Sequence, residues 1–367
     1  MVILLKSGGG GGGGEVEVVK KGVLFFFFFS FFLLVCGVFV GWSVEGWGGG
    51  GGGGGNSLMY RDLFVLFFMP LFFFVSGFVL YKPQVDWSTA SCLRFVGKKG
   101  LLLLLPTAVF ITLYIAVFDP PLSLLGQSGR LGYWFTIALF EYYLLYVLFR
   151  WLSQFFFKCN EGIDWLLIIG SAILYFFVTQ SVLGRLGISD DMIGLLGLDQ
   201  LKFFFYFAIG TLAKKHFDHL KTFMRNGRMV ALCIIAFLSL FLLVHNDGFK
   251  FSNAMVYHAY NFVGGLLSLF LVFLFFYKYQ DTFENTKNVG RALQYIGRHT
   301  LAIYMLHYFF LPRNLQFIGN FFVQHPNSTI ELFVSMGIAI LVICISLLAN
   351  AVICSSPVLA HYLFGKK

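Results

Sequence analysis

The sequence predicts an all-α integral membrane protein, and two observations carry that prediction. Only 12% of the residues are charged while 58% are hydrophobic, with a mean hydropathy of +0.81. A soluble domain carries about a quarter charged residues, so these charges are too few to cover a water-facing surface and lipid must be the solvent. The apolar residues also gather in stretches of about 20, the length of helix that crosses the hydrocarbon. Short polar segments separate them.

About ten such stretches are expected, near 22–42, 62–81, 100–118, 132–153, 163–180, 199–213, 228–245, 255–277, 294–312 and 330–354. The sixth is short and contains Lys202. With the N-terminus inside, twenty of the 26 Lys and Arg residues fall in inner segments. Only Arg61, Arg130, Arg185, Lys202, Lys250 and Arg313 fall outside. That bias places both termini in the cytoplasm. Residues 1–21 form a low-complexity cytoplasmic lead, 22–354 the membrane domain and 355–367 a basic cytoplasmic tail. No loop is long enough for a separate soluble domain. The first stretch is not expected to be a cleaved signal, because no small-residue cleavage site follows it and further spans do.

The N-terminal region has a composition of its own. It holds glycine runs at 8–14 and 48–55 and a phenylalanine run at 25–29. Between Gly22 and Gly55 only Ser30, Ser43 and Glu45 depart from Gly, Val, Leu, Phe, Trp and Cys. All six types can be encoded with G and T alone. No alanine or threonine precedes Thr89, and no histidine precedes His216. A membrane helix has no physical reason to avoid Ala, Ile or Thr, so the pattern points to alteration of roughly the first 80 residues at the nucleotide level. A flexible low-complexity lead would not make the first span and the glycine loop share one codon alphabet.

Several function classes fall away. The six cysteines (Cys36, Cys92, Cys159, Cys233, Cys344, Cys354) are scattered, with neither ligand spacing nor a disulfide framework. No metal site is expected: the nearest candidate, His216, Asp218 and His219, sits among Lys214, Lys215 and Lys221, whose charge opposes a cation. The net charge of +9 is spread over the inner segments, so nucleic acid is not an expected partner.

Polar groups inside spans are costly in lipid and are functional candidates. Glu141 lies about nine residues in from the outer end of the fourth stretch. His258 and Asn261, three apart and therefore on one helix face, lie near the outer end of the eighth. His307 lies near the outer end of the ninth. Each alone is compatible with an interhelical hydrogen bond, but at about 1.5 Å per residue all share the outer half of the membrane. The second stretch, "FVLFFMPLFFFVSGF", adds a puzzle: Met69-Pro70 and Ser76-Gly77 interrupt a helix that a lipid anchor would leave unbroken.

Taken together, these segments resemble membrane acyltransferase family 3. "FFMPLFFFVSGF" is similar to that family's second-span signature, Phe-His-Met-Pro-Leu-Phe-Phe followed by Ser-Gly. "YIGRHTLAIYMLH" is similar to its late-span signature, Gly-x-x-Ser/Thr-Leu-x-Ile-Tyr-x-x-His. "GYWFTIALFEYYLLY", "FVGKKGLLLLLP" and the tail "SSPVLAHYLFGKK" resemble its fourth span, its basic run before the third-span proline and its bacterial C-terminus. The likeness covers about residues 57–367.

The resemblance implies ten spans and transfer of an acyl group, usually acetyl, from cytoplasmic acyl-CoA to a hydroxyl of a cell-envelope glycan or glycolipid, in the cell membrane. Met69-Pro70 would bend the second helix near the reaction centre, and Ser76-Gly77 would admit a neighbouring helix. Arg94, Lys98 and Lys99 would bind the CoA phosphates. Glu141 and His307, with His258 in support, would act on the acceptor.

The departures fall on the chemistry. The family's first span carries a basic residue, ten residues and a histidine; here Phe27 and Val38 stand at those positions. Phe68 stands at the histidine of the second-span signature. Val38 is 16 residues into its span, roughly 24 Å along the helix, and Phe68 is 6 residues from the outer end of its own, roughly 9 Å deep. In a core about 30 Å thick the two positions lie at similar depth. Valine and phenylalanine cannot transfer protons, so two other readings stay open: a catalytically dead homologue within a glycan-assembly complex, or a polytopic lipid or glycan transporter.

Overall fold

The computed structural model describes residues 57–83, 87–127, 129–157, 162–178, 180–245, 251–285, 289–311 and 328–364. Their regular elements are all helical. In chain order they are α1 Ser57–Leu80, α2 Thr89–Phe118, α3 Trp134–Phe157, α4 Gly162–Phe177, α5 Gln180–Arg185, α6 Asp190–Leu196 and α7 Phe204–Lys215. Then follow α8 Phe217–Arg225, α9 Gly227–Val244, α10 Ala254–Asn285, α11 Val289–Arg298, α12 Thr300–Phe310, α13 Ser328–Ile353 and α14 Pro357–Phe364.

Five of them contain a segment long and apolar enough to cross a membrane: Thr89–Phe118, Trp134–Gln154, Gly227–Val244, Ala254–Tyr279 and Leu332–Ile353. Shorter apolar helices cover Leu66–Leu80, Gly162–Phe177 and Thr300–Phe310. The described chain is thus an all-α, multi-pass membrane protein. The first expected stretch, 22–42, lies outside the described residues; the other nine coincide with helices.

Two of those helices differ from a simple span. The sixth stretch opens as a tight 3-10 segment, Leu198–Phe203, and becomes an α-helix only at Phe204. The ninth is two helices that part at His299, whose backbone leaves helical geometry (φ −103°, ψ 10°). His299 Nδ1 lies 2.8 Å from the Tyr295 carbonyl, and the Thr300 hydroxyl donates to the Gly297 carbonyl at 2.9 Å. Such local side-chain bonds offer the backbone an alternative to the helical ladder. In α1 the helix runs uninterrupted through Pro70, although proline has no N–H to give the carbonyl one turn back.

The chain divides into two compact units, one built from residues up to 72 and from 221–351, the other from 73–220 and from 352 onward. In the first unit α9 packs on α10, and Leu66, Phe241 and Tyr260 form a buried cluster. In the second, α2 packs along α3, and α4 packs on α7 and on the 3-10 segment before it. The hydroxyls of Thr107 on α2 and Thr136 on α3 are 2.7 Å apart and buried. Helix α14 returns to α2, with the Phe364 and Phe110 rings 6.2 Å apart.

The tightest approach in the second unit is the crossing of α1 and α7. A Cβ on Gly77 would overlap the backbone carbonyl of Phe207, and a Cβ on Gly210 would overlap that of Phe74. Each glycine is therefore the site at which the other helix's backbone is admitted, the small-residue solution to helix packing in lipid. This is the role expected of Ser76-Gly77, and Gly210 is its reciprocal.

Gly77→Ala and Gly210→Ala should each force the two backbones apart. Overpacking of this kind costs about 1–3 kcal/mol, so each variant should lose thermal stability and monodispersity in detergent. Gly227→Ala, where a Cβ meets open space, should behave like the parent. Equal melting of all three would show that the crossing is not close.

Candidate functional site

Glu141 and its surroundings are built from three segments of the second unit. Glu141 sits on α3, two turns after its start. Before α3 the chain makes a short 3-10 turn, Arg130–Gly132, in which Arg130, Leu131 and Gly132 all have positive φ (42°, 55° and 91°). Positive φ is uncommon for arginine and leucine. The turn directs the buried Arg130 side chain back towards α3, where Nη1 lies 3.4 Å from Glu141 Oε1. Nη2 donates to the Leu195 carbonyl at 3.0 Å. Gly197 (φ +63°) completes the enclosure, since a Cβ there would come within 2.7 Å of Arg130 Nη2.

An aromatic wall stands beside this ion pair. Phe203 stacks on Trp134 (6.2 Å) and on Phe73 (5.6 Å). Tyr142, next to Glu141, donates its hydroxyl to the Gln200 carbonyl. Gln200 Nε2 donates to Asp199 Oδ2 at 3.1 Å, while Asp199 Oδ1 is a buried oxygen without a hydrogen bond among the described residues. The arrangement offers carboxylates, an amide and flat apolar faces, groups suited to a hydroxylated ligand. Sequence reading treated Arg130 only as an outer basic residue. A turn separates it from the helix that carries Glu141, so helical periodicity does not relate the two, but its setting, "GRLG", marks an unusual backbone.

The basic residues of α2 separate. Arg94 and Lys98, four apart, are exposed on one face. Lys99 is turned inward between aromatic rings, its Nζ 5.3 Å from the Phe95 ring centre and 5.1 Å from that of Tyr143. Further along α3 and at the adjoining ends of α4 and α7, Asp164 joins Arg150 (2.6 Å) and Lys215. Sequence reading counted the two cations as inner-face anchors and passed over the lone acid.

His307, His258 and Phe68 belong to the first unit. His307 is fully buried on α12; Nδ1 is 2.6 Å from the Tyr304 carbonyl and its ring lies 3.8 Å from that of Tyr308. His258 is half-buried near the start of α10, 5.8 Å from the Tyr257 ring. The amide of Asn261 donates to the Tyr257 carbonyl at 3.1 Å. Phe68 is buried and packs edge-to-face on Phe72 at 5.4 Å. Val38 and Phe27 lie outside the described residues. Among the described residues no group of three His, Cys, Asp or Glu side chains is placed to hold a metal ion.

Arg130→Met should be more damaging than Arg130→Met/Glu141→Leu. The single change leaves a carboxylate unpaired, a loss of about 1–3 kcal/mol, whereas the double change removes both charges. Thermal unfolding in detergent micelles measures both; a double variant no more stable than the single would show that the pair is not coupled.

A family model described as an acyltransferase domain, that of acyltransferase family 3, matches residues 32–349. No curated protein and no solved structure matches the chain. The match spans most of the sequence, including the segments that carry Phe68, Lys99, Glu141, His258 and His307. This chain belongs to the acyltransferase 3 family of membrane proteins.

Proposed function

We propose that the protein is a membrane O-acyltransferase that takes an acyl group, most simply acetyl, from cytoplasmic acyl-CoA to a hydroxyl of an envelope polysaccharide or glycolipid. The family match over residues 32–349 carries this reading. The polar and aromatic groups around Glu141 support it, because they offer hydrogen bonds and stacking faces to a sugar. In this reading Lys99, with Arg94 and Lys98 at the surface, draws the CoA phosphates, and no metal takes part. Glu141 orients the acceptor. His307 and His258 supply imidazole nitrogens where proton transfer from a hydroxyl needs a base. The layout that serves it is ten spans in the cell membrane with both termini in the cytoplasm, so donor and acceptor meet from opposite faces.

Topology is checked with reporters. A cytoplasmic reporter fused after Lys367 should be active, and one placed within 246–254 should report the outside. The reverse at either site would break the ten-span layout.

Activity turns on Val38, Phe68 and Phe27, which stand where the family has two histidines and a basic residue. Val38→His/Phe68→His, with Phe27→Arg added, should raise acetyl transfer from radiolabelled acetyl-CoA to envelope glycan. Positioned acid–base groups contribute about 10²–10⁴-fold, and the gain should fall in that range. A correctly inserted triple variant that stays silent, beside an active family member in the same assay, would favour the dead homologue or the transporter.

A further inference from the structure

Among the described residues, the joined ends of α3, α4 and α7 in the second unit gather more positive charge than one acid can balance. Asp164, in the first turn of α4, has a side chain only 6% exposed. Arg150 Nη2 lies 2.6 Å from one of its carboxylate oxygens and Lys215 Nζ pairs with the other. The cations are less enclosed: their side chains are 14% and 25% exposed. Arg150 is also held from behind, because Nε donates to the Tyr146 hydroxyl at 3.0 Å and Cζ lies 5.2 Å from that ring's centre.

One turn earlier on α3, Tyr143 carries Lys99 in the same manner, at 5.1 Å. Tyr143 and Tyr146 both meet Phe207 edge-on, at 5.7 and 6.1 Å. Lys99 and Arg150 thus stand on adjacent rings of α3, Lys215 joins them through Asp164, and among the described residues that one carboxylate can neutralise only one of the three. Desolvated charges of one sign repel, and buried charge is normally paired. An added anion would restore the balance.

We infer that Arg150 and Lys215, together with Lys99, form a binding site for a phosphate-ester anion, and that Asp164 is its positioning residue. The planar guanidinium suits bidentate contact with a phosphate, and the two ammonium groups act as point charges beside it. Asp164 holds Arg150 and Lys215 at the site without touching the anion. The phosphate has two possible sources: acyl-CoA or an inner-leaflet lipid. The first rests on the acyl-transfer reading above; the second does not. The site differs from the surface pair Arg94 and Lys98 in being enclosed by aromatic rings.

The test uses the full chain in detergent, with binding measured by calorimetry. The probes are acetyl-CoA, its 3′-dephospho analogue and a short-chain phosphatidylglycerol. Arg150→Gln and Lys215→Gln should each weaken the phosphate-bearing probe by about tenfold or more, as loss of a charge-assisted bond implies. Arg150→Lys should recover part of the loss, and Asp164→Asn should weaken binding less than either cation's removal. If Arg150→Gln does not fold, Arg150→Lys and Lys215→Gln still carry the test. A shallower dependence of affinity on salt in Lys215→Gln is expected, and a merely structural ion pair would not produce it.

Unchanged affinity for both acetyl-CoA and the lipid in these variants would overturn the site. If Arg94→Gln/Lys98→Gln alone weakened acetyl-CoA, the site would be wrong while the acyl-CoA reading stood. Lipid bound through Arg150 with no affinity for acetyl-CoA would sustain the site and remove that reading. Failure of the parent protein to bind any probe would overturn both.

Discussion

The second unit depends on one close approach, the reciprocal contact in which Gly77 admits the backbone of Phe207 and Gly210 admits that of Phe74. Lipid tails supply no hydrophobic drive for helices to associate, so van der Waals contact between backbones must do that work. The contact fixes α7 at a depth that sets Phe207 against Tyr142, Tyr143 and Tyr146 on α3. It also brings Phe73 of α1 against Tyr142 and Phe203. Had either glycine carried a side chain, the layer between α1, α3 and α7 would be wider and its rings too far apart to meet edge to face.

With that layer in place, α3 acts as a spine with a charged knot near each end. Towards its start, Arg130 pairs with Glu141 and the Leu195 carbonyl. Towards its end, Arg150 reaches Asp164, which also holds Lys215. The residues between them are tyrosines and apolar side chains: Tyr142, Tyr143, Tyr146 and Val147 are buried, while Leu144 and Leu148 are exposed on the outer face. This distribution follows from the medium: charge is tolerated where it is paired or near water and is excluded from the middle. The two knots differ in balance. The first joins Arg130 to Glu141, with the Asp199 carboxylate near by. Among the described residues the second has more cations than carboxylates, and that difference is what the proposed anion site rests on.

Much of the fold was legible because a membrane helix needs only length and apolarity, and both are written locally. The stretches at 100–118, 132–153, 228–245, 255–277 and 330–354 each match a helix of sufficient length, overrunning its ends by at most two residues. The break at His299 was not legible, since it turns on side-chain bonds to Tyr295 and Gly297 that hydropathy does not register. The partners of the candidate residues were less legible still. Ser76-Gly77 announced a close approach, but its complement, Gly210, lies more than a hundred residues away with no local mark of its role. Glu141 was visible as an acid in an apolar run; Arg130 reaches it only because three residues in a row take left-handed backbone angles. Lys98 and Lys99 look equivalent in sequence, yet consecutive helical positions point about 100° apart. One is at the surface and the other lies between two rings.

The same contrast between packing and chemistry bears on Phe68. Phenylalanine is somewhat larger than histidine, equally flat and wholly apolar. At a buried position one turn from Phe72 it fills space without needing a hydrogen-bond partner. A histidine there must find partners for its ring nitrogens, because an unsatisfied buried polar group costs about 1–3 kcal/mol. Replacing histidine by phenylalanine therefore removes proton-transfer capacity while leaving the helix packed. On the proposal that a histidine belongs at position 68, this accounts for a helix in which Pro70, Ser76 and Gly77 still sit without a break. The grip of α1 on α7 lies at Gly77, more than two turns away, so that contact does not depend on which of the two residues stands at position 68.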